Sequence, residues 1–273
     1  MGLGIGVLNL RQCCLTPQGI GLGPLQGLPR AVLVRSVPAG SFEQVTARLG
    51  ILHALEELGV MVVNSARAIE RCVDKAATTL RLLQAGLPTP PTWTAQDRET
   101  ATALVLAEAR PDRPLVLKPL FGAQGKGLQL VRIPADLPAP DMIGGLYYLQ
   151  HYVGGTEVFE DFRVFVVGDR AIAAMRRQAT GWVTNIHQGS TPTAVEAGGE
   201  LAALASAAVT AVGADYAGVD LIRDPEGRLL VLEVNSMPAW QGLQSVTRVD
   251  IPGRIIDLVR QRLPRLSSAR AAL

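Results

Sequence analysis

In this chain of 273 residues, 26 lysines and arginines meet 24 aspartates and glutamates, leaving a net charge of only +2. That balance excludes the strongly basic face of a nucleic-acid binder and the acid run of a charged tail. With 48% hydrophobic and 18% charged residues, disorder as the main state is excluded too, and the length allows one large domain or two modest ones. The first 40 residues are rich in Gly, Leu and Pro, and only AVLVR (31–35) reads there as a buried strand. Ser41 is placed as a helix cap, with Gln44 three residues on as its capping-box partner. Val45, Leu49, Leu52, Leu55 and Leu58 then recur at helical spacing, and Gly59 stands where the helix ends. VMVVN (60–64) reads as a buried strand.

A second helix is expected over about residues 74–85, stopped by Gly86 and Pro88, before PTPPTW opens a new unit. A helix over about 98–109 leads to a strand at 115–118, the glycine loop FGAQGKG and a strand at 128–133. After the break IPADLPAP the chain turns β-rich: a strand at 146–152, then 161–167 and 171–177 as a hairpin about GDR. A helix at about 200–212 precedes the hairpin AGVDLIR–DPEG–RLLVLEVNS, whose turn has a type I signature. An amphipathic helix at 251–262 closes the pattern, and residues after Pro264 form a loose tail. Helices followed by antiparallel hairpins point to an α+β arrangement in more than one layer.

Three cysteines, Cys13, Cys14 and Cys72, form no CxxC pair, so reduced thiols in a cytoplasmic protein are expected rather than a disulfide framework or a zinc site. MGLGIGVLNLRQCC has no positive region ahead of its apolar stretch, which makes it a poor signal peptide. The apolar run 201–214 is interrupted by Ser206, Thr210 and Gly213 and falls short of the ~20 residues a membrane span needs, so it reads as a buried helix.

The sharpest chemical feature is the last hairpin. Asp220 and Glu233 each sit inside an apolar strand, where an isolated carboxylate costs several kcal/mol unless paired or metal-bound. If the DPEG turn pairs Arg223 with Arg228, Asp220 faces Val231, and Glu233 and Asn235 follow on the same face, Glu233 diagonal to Asp220. Two carboxylates and an amide oxygen then converge, a donor set suited to Mg²⁺. A one-residue slip would split them, and an exposed hairpin with water-facing acids is the alternative.

Lys118 ends LVLK immediately before the glycine loop, and a buried lysine wants an anion. Gly122, Gly125 and Gly127 allow backbone amides to approach a phosphate. The loop is not a P-loop, because Lys126 is followed by Gly127 rather than Ser or Thr. Alone it is equally an unliganded turn; Lys118 ahead of it and the acidic hairpin downstream turn the reading to nucleotide phosphate. Asp161, Arg163, Arg176 and Arg177 lie on the middle hairpin, where arginine suits phosphate or a substrate carboxylate, or else the charges simply face solvent. His53 reads as structural, and His187 as a loop residue with a catalytic role as the alternative.

Taken in order, VDKAATTLRLLQAGLPTPPT, LVLKPLFGAQGKGLQLV, YYLQHYV, EDFRVFVVGDRAIAAMRRQ, TNIHQGS, AGVDLIR and LEVNSMPAWQGLQ resemble an ATP-grasp ligase of the RimK-like group, over roughly residues 41–262. The resemblance implies an ATP-grasp fold, two α+β subdomains gripping ATP, with a shortened N-terminal α/β pre-ATP-grasp layer. It implies domains at 1–70 and 71–264, a lid at about 90–150, and the tail at 265–273. By resemblance, Lys75 and Lys118 contact ATP and Gly122, Gly125 and Gly127 cover its phosphates. Gln150, Tyr152 and Val153 border adenine, and Glu157 stands at the ribose acid. Arg177 is the arginine near the phosphates, Asn185 lies in the substrate-side loop, and Asp220, Glu233 and Asn235 are the Mg²⁺ ligands, with Mn²⁺ as a substitute. The chain departs from the group in its short region before Arg35, and in Gln188 and Ser190, where RimK-type ligases often carry Arg and Gly.

The implied chemistry is carboxylate–amine ligation. A carboxylate attacks the γ-phosphate of ATP, and an amine displaces phosphate from the acylphosphate to form an amide. The expected substrates are a small-molecule carboxylate and an amine, with glutamate or a similar amino acid added to a small cofactor or a protein terminus. No nucleic acid and no membrane are expected as partners, and the pattern leaves room for a homo-oligomer. The alternative is a non-catalytic ATP-binding sensor or scaffold of the same fold.

Overall fold

The computed structural model describes residues 4–122, 125–154, 159–184 and 189–263. Two compact units divide them: residues 1–67 together with 252–273, and residues 68–251. The sequence expectation carried the second domain from 71 to 264. The second compact unit reaches Ile251, and nearly all of the helix Ile251–Arg262 belongs to the first unit.

In the first unit, β1 (Cys13–Thr16) and β2 (Gly19–Leu22) form an antiparallel hairpin that the composition of the first 40 residues did not announce. β3 (Ala31–Leu33) pairs in parallel with β4 (Met61–Val63) through the crossover helix α1 (Phe42–Glu57). The cap of α1 is the expected one: Ser41 Oγ accepts from Gln44 N at 3.4 Å, and Gln44 Oε1 accepts from Ser41 N at 3.2 Å. Leu52 and Leu55 of α1 are fully buried. Helix α2 (Ala66–Val73) spans the boundary between the units.

In the second unit, α3 (Lys75–Gln84) begins where Asp74 Oδ1 accepts from Ala76 N and Ala77 N at 2.8 and 3.0 Å, so the first helical residue is Lys75. A four-stranded antiparallel sheet follows from β5 (Thr92–Ala95), helix α4 (Arg98–Glu108), β6 (Leu115–Lys118), β7 (Gln129–Val131) and β8 (Tyr147–His151), in the order β5-β8-β6-β7. One face packs on α4, where Ala101 and Val105 meet Leu115, Leu117, Tyr147 and Leu149 in one core.

The second sheet has five strands: β9 (Phe159–Val167), β10 (Arg170–Ala179), β11 (Thr191–Val195), β12 (Tyr216–Arg223) and β13 (Leu229–Asn235), in the order β11-β10-β9-β12-β13. Helix α5 (Gly199–Val212) covers one face through Ala205, Ala208, Val209 and Val212, against Val164, Val166, Ala217, Val219, Leu221 and Val231. Period-two alternation then directs Asp161, Arg163, Arg177 and Asp220 to the opposite face.

The register of the last hairpin differs from the expected one. Arg223 pairs with Leu229, not Arg228, because the turn takes one more residue: Asp224 N donates to Arg228 O at 2.9 Å. Val231 therefore pairs with Leu221 and lies in the α5 core. In an unbroken strand Glu233 would follow it there. A bulge at Leu232 adds a residue, so that Glu233 pairs directly with Asp220 and Val234 returns to the core. The outer edge of β13 is held at this point by Val231 N donating to Pro88 O (2.8 Å) and Thr89 Oγ1 donating to Val231 O (2.9 Å). No helix among the described residues is long and apolar enough to cross a membrane.

Candidate active site

A cavity of about 370 Å³ lies within the second unit, lined by residues of both of its sheets. Lys118, Gln150 and His151 come from the four-stranded sheet, and Asp161, Arg163, Arg177, Asp220, Glu233 and Asn235 from the five-stranded one. Lys75 enters from the first turn of α3, and Gly122, Gly125 and Lys126 from the glycine loop.

Two lysines form the cationic side. Lys118 Nζ donates to Gln150 Oε1 at 2.5 Å, and Gln150 Nε2 donates to Thr92 Oγ1 at 2.9 Å, which fixes the ammonium at the end of β6. Burial lowers the Lys118 pKa to about 8; the Glu233 charge opposes the drop and Lys75 adds to it. Lys75 is lowered too, by burial, against the pull of Glu233 and Asp74. Its Nζ donates to Leu120 O (3.3 Å) and Gly122 O (3.0 Å), so this lysine clasps the start of the glycine loop.

Gly127 in that loop has φ +73° and is so close to Pro119 that a Cβ there would lie 2.9 Å from Pro119 Cγ. Left-handed backbone costs an L-residue about 1–2 kcal/mol. Gly127→Ala is therefore expected to lower unfolding stability by at least about 1 kcal/mol in urea titration; unchanged stability would show that the loop does not hold this conformation.

The opposite side carries the charges of β9, β10, β12 and β13. Arg163 grips Asp220 with two bonds, Nε to Oδ1 at 2.7 Å and Nη2 to Oδ2 at 2.6 Å. Arg177 grips Asp161 likewise, at 2.6 and 2.5 Å, and its Nη2 also lies 3.1 Å from Asp220 Oδ2. Arg177 and Asp161 are only 2% and 3% exposed, so these charges are compensated by one another rather than by water. Burial would raise the Asp220 pKa, but Arg163 and Arg177 outweigh it and hold it at about 2. Asp161 shares its one guanidinium with Asp220, and burial pushes its pKa up.

Glu233 stands directly across from Asp220, with Cβ atoms of such pairs ~4.5–5.5 Å apart. It makes no hydrogen bond or ion pair with a described residue, while its charge acts on both lysines. Asn235 Oδ1 accepts from Met237 N at 2.9 Å, an Asx turn that orients the amide and leaves a lone pair on the oxygen. Among the described residues no three His, Cys, Asp or Glu side chains cluster as metal ligands. The donor set is two carboxylates and one amide, all hard oxygens, which fits a divalent cation that keeps places for phosphate oxygens. Glu233 and Asn235 have oxygens to spare, whereas both oxygens of Asp220 already accept from arginine.

Of the residues singled out from the sequence, Lys75, Lys118, Gly122, Gly125, Gln150, Tyr152, Val153, Arg177, Asp220, Glu233 and Asn235 all line this one cavity. Gly127 is not among the lining residues but closes the loop that is. Gln150 lines the cavity and is also the hydrogen-bond partner of Lys118. Glu157 and Asn185, like His187 and Gln188, lie outside the described residues. Arg163, which the sequence offers for phosphate, a substrate carboxylate or solvent, is instead bound to Asp220, and Trp182 carries no signal in the sequence. Trp182 lines the cavity with its ring edge-on to Tyr152, the centroids 6.1 Å apart.

Two antiparallel α+β layers that line one cleft, with Lys118 on one and Lys75 and the carboxylates on the other, define the ATP-grasp class of fold. The chain belongs to the RimK-like ATP-grasp family, whose domain model matches residues 72–259. A protein of Methanococcus maripaludis named tetrahydromethanopterin:alpha-L-glutamate ligase is 38% identical over 235 residues, covering 84% of this chain and 78% of that one. A probable alpha-L-glutamate ligase of Xanthomonas campestris pv. campestris is 35% identical over 241 residues, 83% of this chain and 81% of its own. The solved structure of the ATP-grasp ligase PsnB with a minimal precursor superposes with a TM-score of 0.68 at 25% identity, covering 91% and 85% of the two chains. Another PsnB structure, with TM-score 0.65 and 84% of its chain covered, contains the precursor with Mg and ADP.

The lysine geometry has a pH consequence. Lys118 has a folded pKa of about 8 against an ordinary 10.5. Between those values the unfolded chain holds a proton that the folded chain has shed, so this group's contribution to stability rises with pH across the window. An anion bound beside Lys118 favours the ammonium, so anion binding takes up a proton above pH 8. Tripolyphosphate affinity in EDTA is expected to fall up to about tenfold per pH unit above 8. Calorimetry at pH 9 in two buffers of different ionisation heat is expected to show net proton uptake. Zero uptake would place the anion away from Lys118.

Proposed function

We propose that the protein is an ATP- and Mg²⁺-dependent carboxylate–amine ligase that forms an amide bond through an acylphosphate. The observation that carries this reading is the meeting of Lys75 and Lys118 with Glu233 and Asn235 across one cavity. A triphosphate needs cations on its oxygens and a cation-binding carboxylate beside its terminal phosphate, and here Lys118 comes from the four-stranded sheet, Lys75 from helix α3, and Glu233 and Asn235 from the five-stranded sheet. In this reading Lys118 and Lys75 hold phosphate oxygens, Tyr152, Val153 and Trp182 border the base, and Gly122, Gly125 and Gly127 lay backbone over the phosphates. Glu233, Asn235 and one oxygen face of Asp220 would hold Mg²⁺, which when bound offsets charge on the phosphates and on the departing ADP.

The chemistry then follows from position. A substrate carboxylate oxygen attacks the γ-phosphorus, the bond to the ADP oxygen breaks, and an acylphosphate forms. An amine attacks the acyl carbon, inorganic phosphate leaves, and the amine's proton passes to solvent or a neighbouring base. Arg177, desolvated and fixed by Asp161, lies where it would meet negative charge on the transferring group. Residues of about 90–150, which carry the four-stranded sheet, are the lid in this reading, and the N-terminal unit is the pre-ATP-grasp layer.

The names of the relatives support glutamate, or a similar amino acid, as the added amine. The near-neutral charge supports a small-molecule cofactor over a nucleic-acid-bearing partner as acceptor. Three free cysteines support a cytoplasmic setting.

The test is ADP release with candidate acids and amines, together with transfer of ¹⁸O from a labelled acid to inorganic phosphate. Label in phosphate is expected only when acid, amine and ATP are all present. Tight ATP binding without turnover across glutamate and a panel of cofactor acids would instead favour a non-catalytic ATP sensor.

A further inference from the structure

Four side chains on the cavity face form a continuous chain of charge: Arg163 on Asp220, Asp220 on Arg177, Arg177 on Asp161. Two guanidiniums and two carboxylates leave it electrically neutral. Asp220 takes part with both oxygens, yet it is also the carboxylate across from Glu233. A guanidinium that closed on it with two further bonds would take the lone pairs a divalent cation needs. Arg163 is held beside Asp220 by strand pairing, so its grip is fixed. Arg177 is different: it lies on β10, two strands from β12, and reaches Asp220 with a single nitrogen.

What limits that reach is Asp161. It is the direct cross-strand neighbour of Arg177 and occupies Nε and Nη2 with paired bonds. Such fork-to-fork contacts fix the guanidinium plane as well as its position. Without Asp161 the buried arginine would have one carboxylate within reach, Asp220, and the drive to compensate its charge would pull it there.

We propose that Asp161 is a positioning residue that keeps Arg177 from closing on Asp220, and so keeps Asp220 available to a divalent cation. The inference rests on the reading of Asp220 and Glu233 as cation ligands.

The experiment measures Mn²⁺ binding by electron paramagnetic resonance of free Mn²⁺, with the non-hydrolysable ATP analogue AMPPNP present and no turnover. Asp161→Asn is expected to weaken Mn²⁺ binding at least tenfold. Asp161→Asn/Arg177→Met is expected to recover to within about threefold of Arg177→Met alone, because the competitor for Asp220 is gone. A merely structural role for Asp161 predicts lost thermal stability without that recovery. Equal Mn²⁺ affinity in Asp161→Asn and the wild type overturns the inference, as does a double variant no tighter than Asp161→Asn. Should Asp161→Asn fail to fold, Asp161→Glu keeps the charge but moves the carboxylate by one methylene. It is expected to weaken Mn²⁺ at least threefold, and unchanged affinity would again overturn the inference. Equal binding by Glu233→Gln and the wild type would overturn instead the cation reading beneath it.

Discussion

Glu233→Ala is expected to reduce ligase turnover by at least about 10³-fold while leaving a folded protein. The size follows from what the carboxylate offers. It stands across from Asp220, it faces both lysines, and it has no hydrogen-bond partner among the described residues. Its charge is therefore not consumed in holding the fold. Loss of a cation ligand at a centre where phosphoryl charge develops removes several kcal/mol of transition-state stabilisation, and each 1.4 kcal/mol is a factor of ten. Stability is expected to change far less, because no buried group is left orphaned. What is lost is a favourable charge near Lys75 and Lys118, which lets both ammoniums deprotonate more readily and lowers stability by roughly 1 kcal/mol. Steady-state ADP release and thermal denaturation on the same sample separate the two effects. Wild-type turnover in the variant would remove Glu233 from the chemistry; collapse of the fold would make it a structural acid.

The parts of this fold legible in the sequence are those set by local chemistry. The Ser41–Gln44 capping box, the helix beginning near Asp74, and the LVLK strand between a polar loop and a glycine run all depend on neighbours a few residues away. The site residues were legible for a related reason. A carboxylate inside VDLI or VLEV needs a compensating partner, so its presence advertises one. The N-terminal hairpin was not legible, because CCLT and GIGL are mostly exposed or half-buried and show no alternation. β11 was missed in TPTAV, where Pro192 is tolerated because this is an edge strand.

The hairpin of Asp220 and Glu233 shows why a correct conclusion can rest on an incorrect register. The assumed pairing placed Asp220 across from Val231, which in fact points into the α5 core. A turn one residue longer reversed that assignment, and the bulge at Leu232 reversed Glu233 back again. Neither feature has a signature within the strands. The turn is set by Asp224, whose carboxylate accepts from Arg228 N at 2.8 Å and Nε at 2.7 Å. At the bulge, the free edge of Val231 is met by Pro88 and Thr89, more than a hundred residues earlier in the chain. The pairing of Arg163 with Asp220 is illegible for the same reason: the two are 57 residues apart and become neighbours only through β9–β12 pairing.

Lys118→Met is expected to weaken nucleotide binding by about 10- to 100-fold, measured as the Kd of ATP in EDTA. Hydrogen bonds to charged groups are worth about 1.5–3 kcal/mol, and each 1.4 kcal/mol is a factor of ten. Methionine fills much the same space, but it leaves Gln150 Oε1, in a side chain only 1% exposed, without the donor it now has. The variant is therefore also expected to lose about 1–3 kcal/mol of stability. Gln150→Leu in the same background replaces the orphaned acceptor with an apolar group and is expected to recover part of that stability without recovering ATP affinity. The two lysines are linked as well. Lys118 and Lys75 repel, so loss of one lets the other hold its proton more firmly. Lys75→Met/Lys118→Met is accordingly expected to bind ATP more weakly than the two single losses added together. ATP affinity that survives Lys118→Met unchanged would move the triphosphate out of this cavity, and with it the reading of Glu233 and Asn235 as its facing partners.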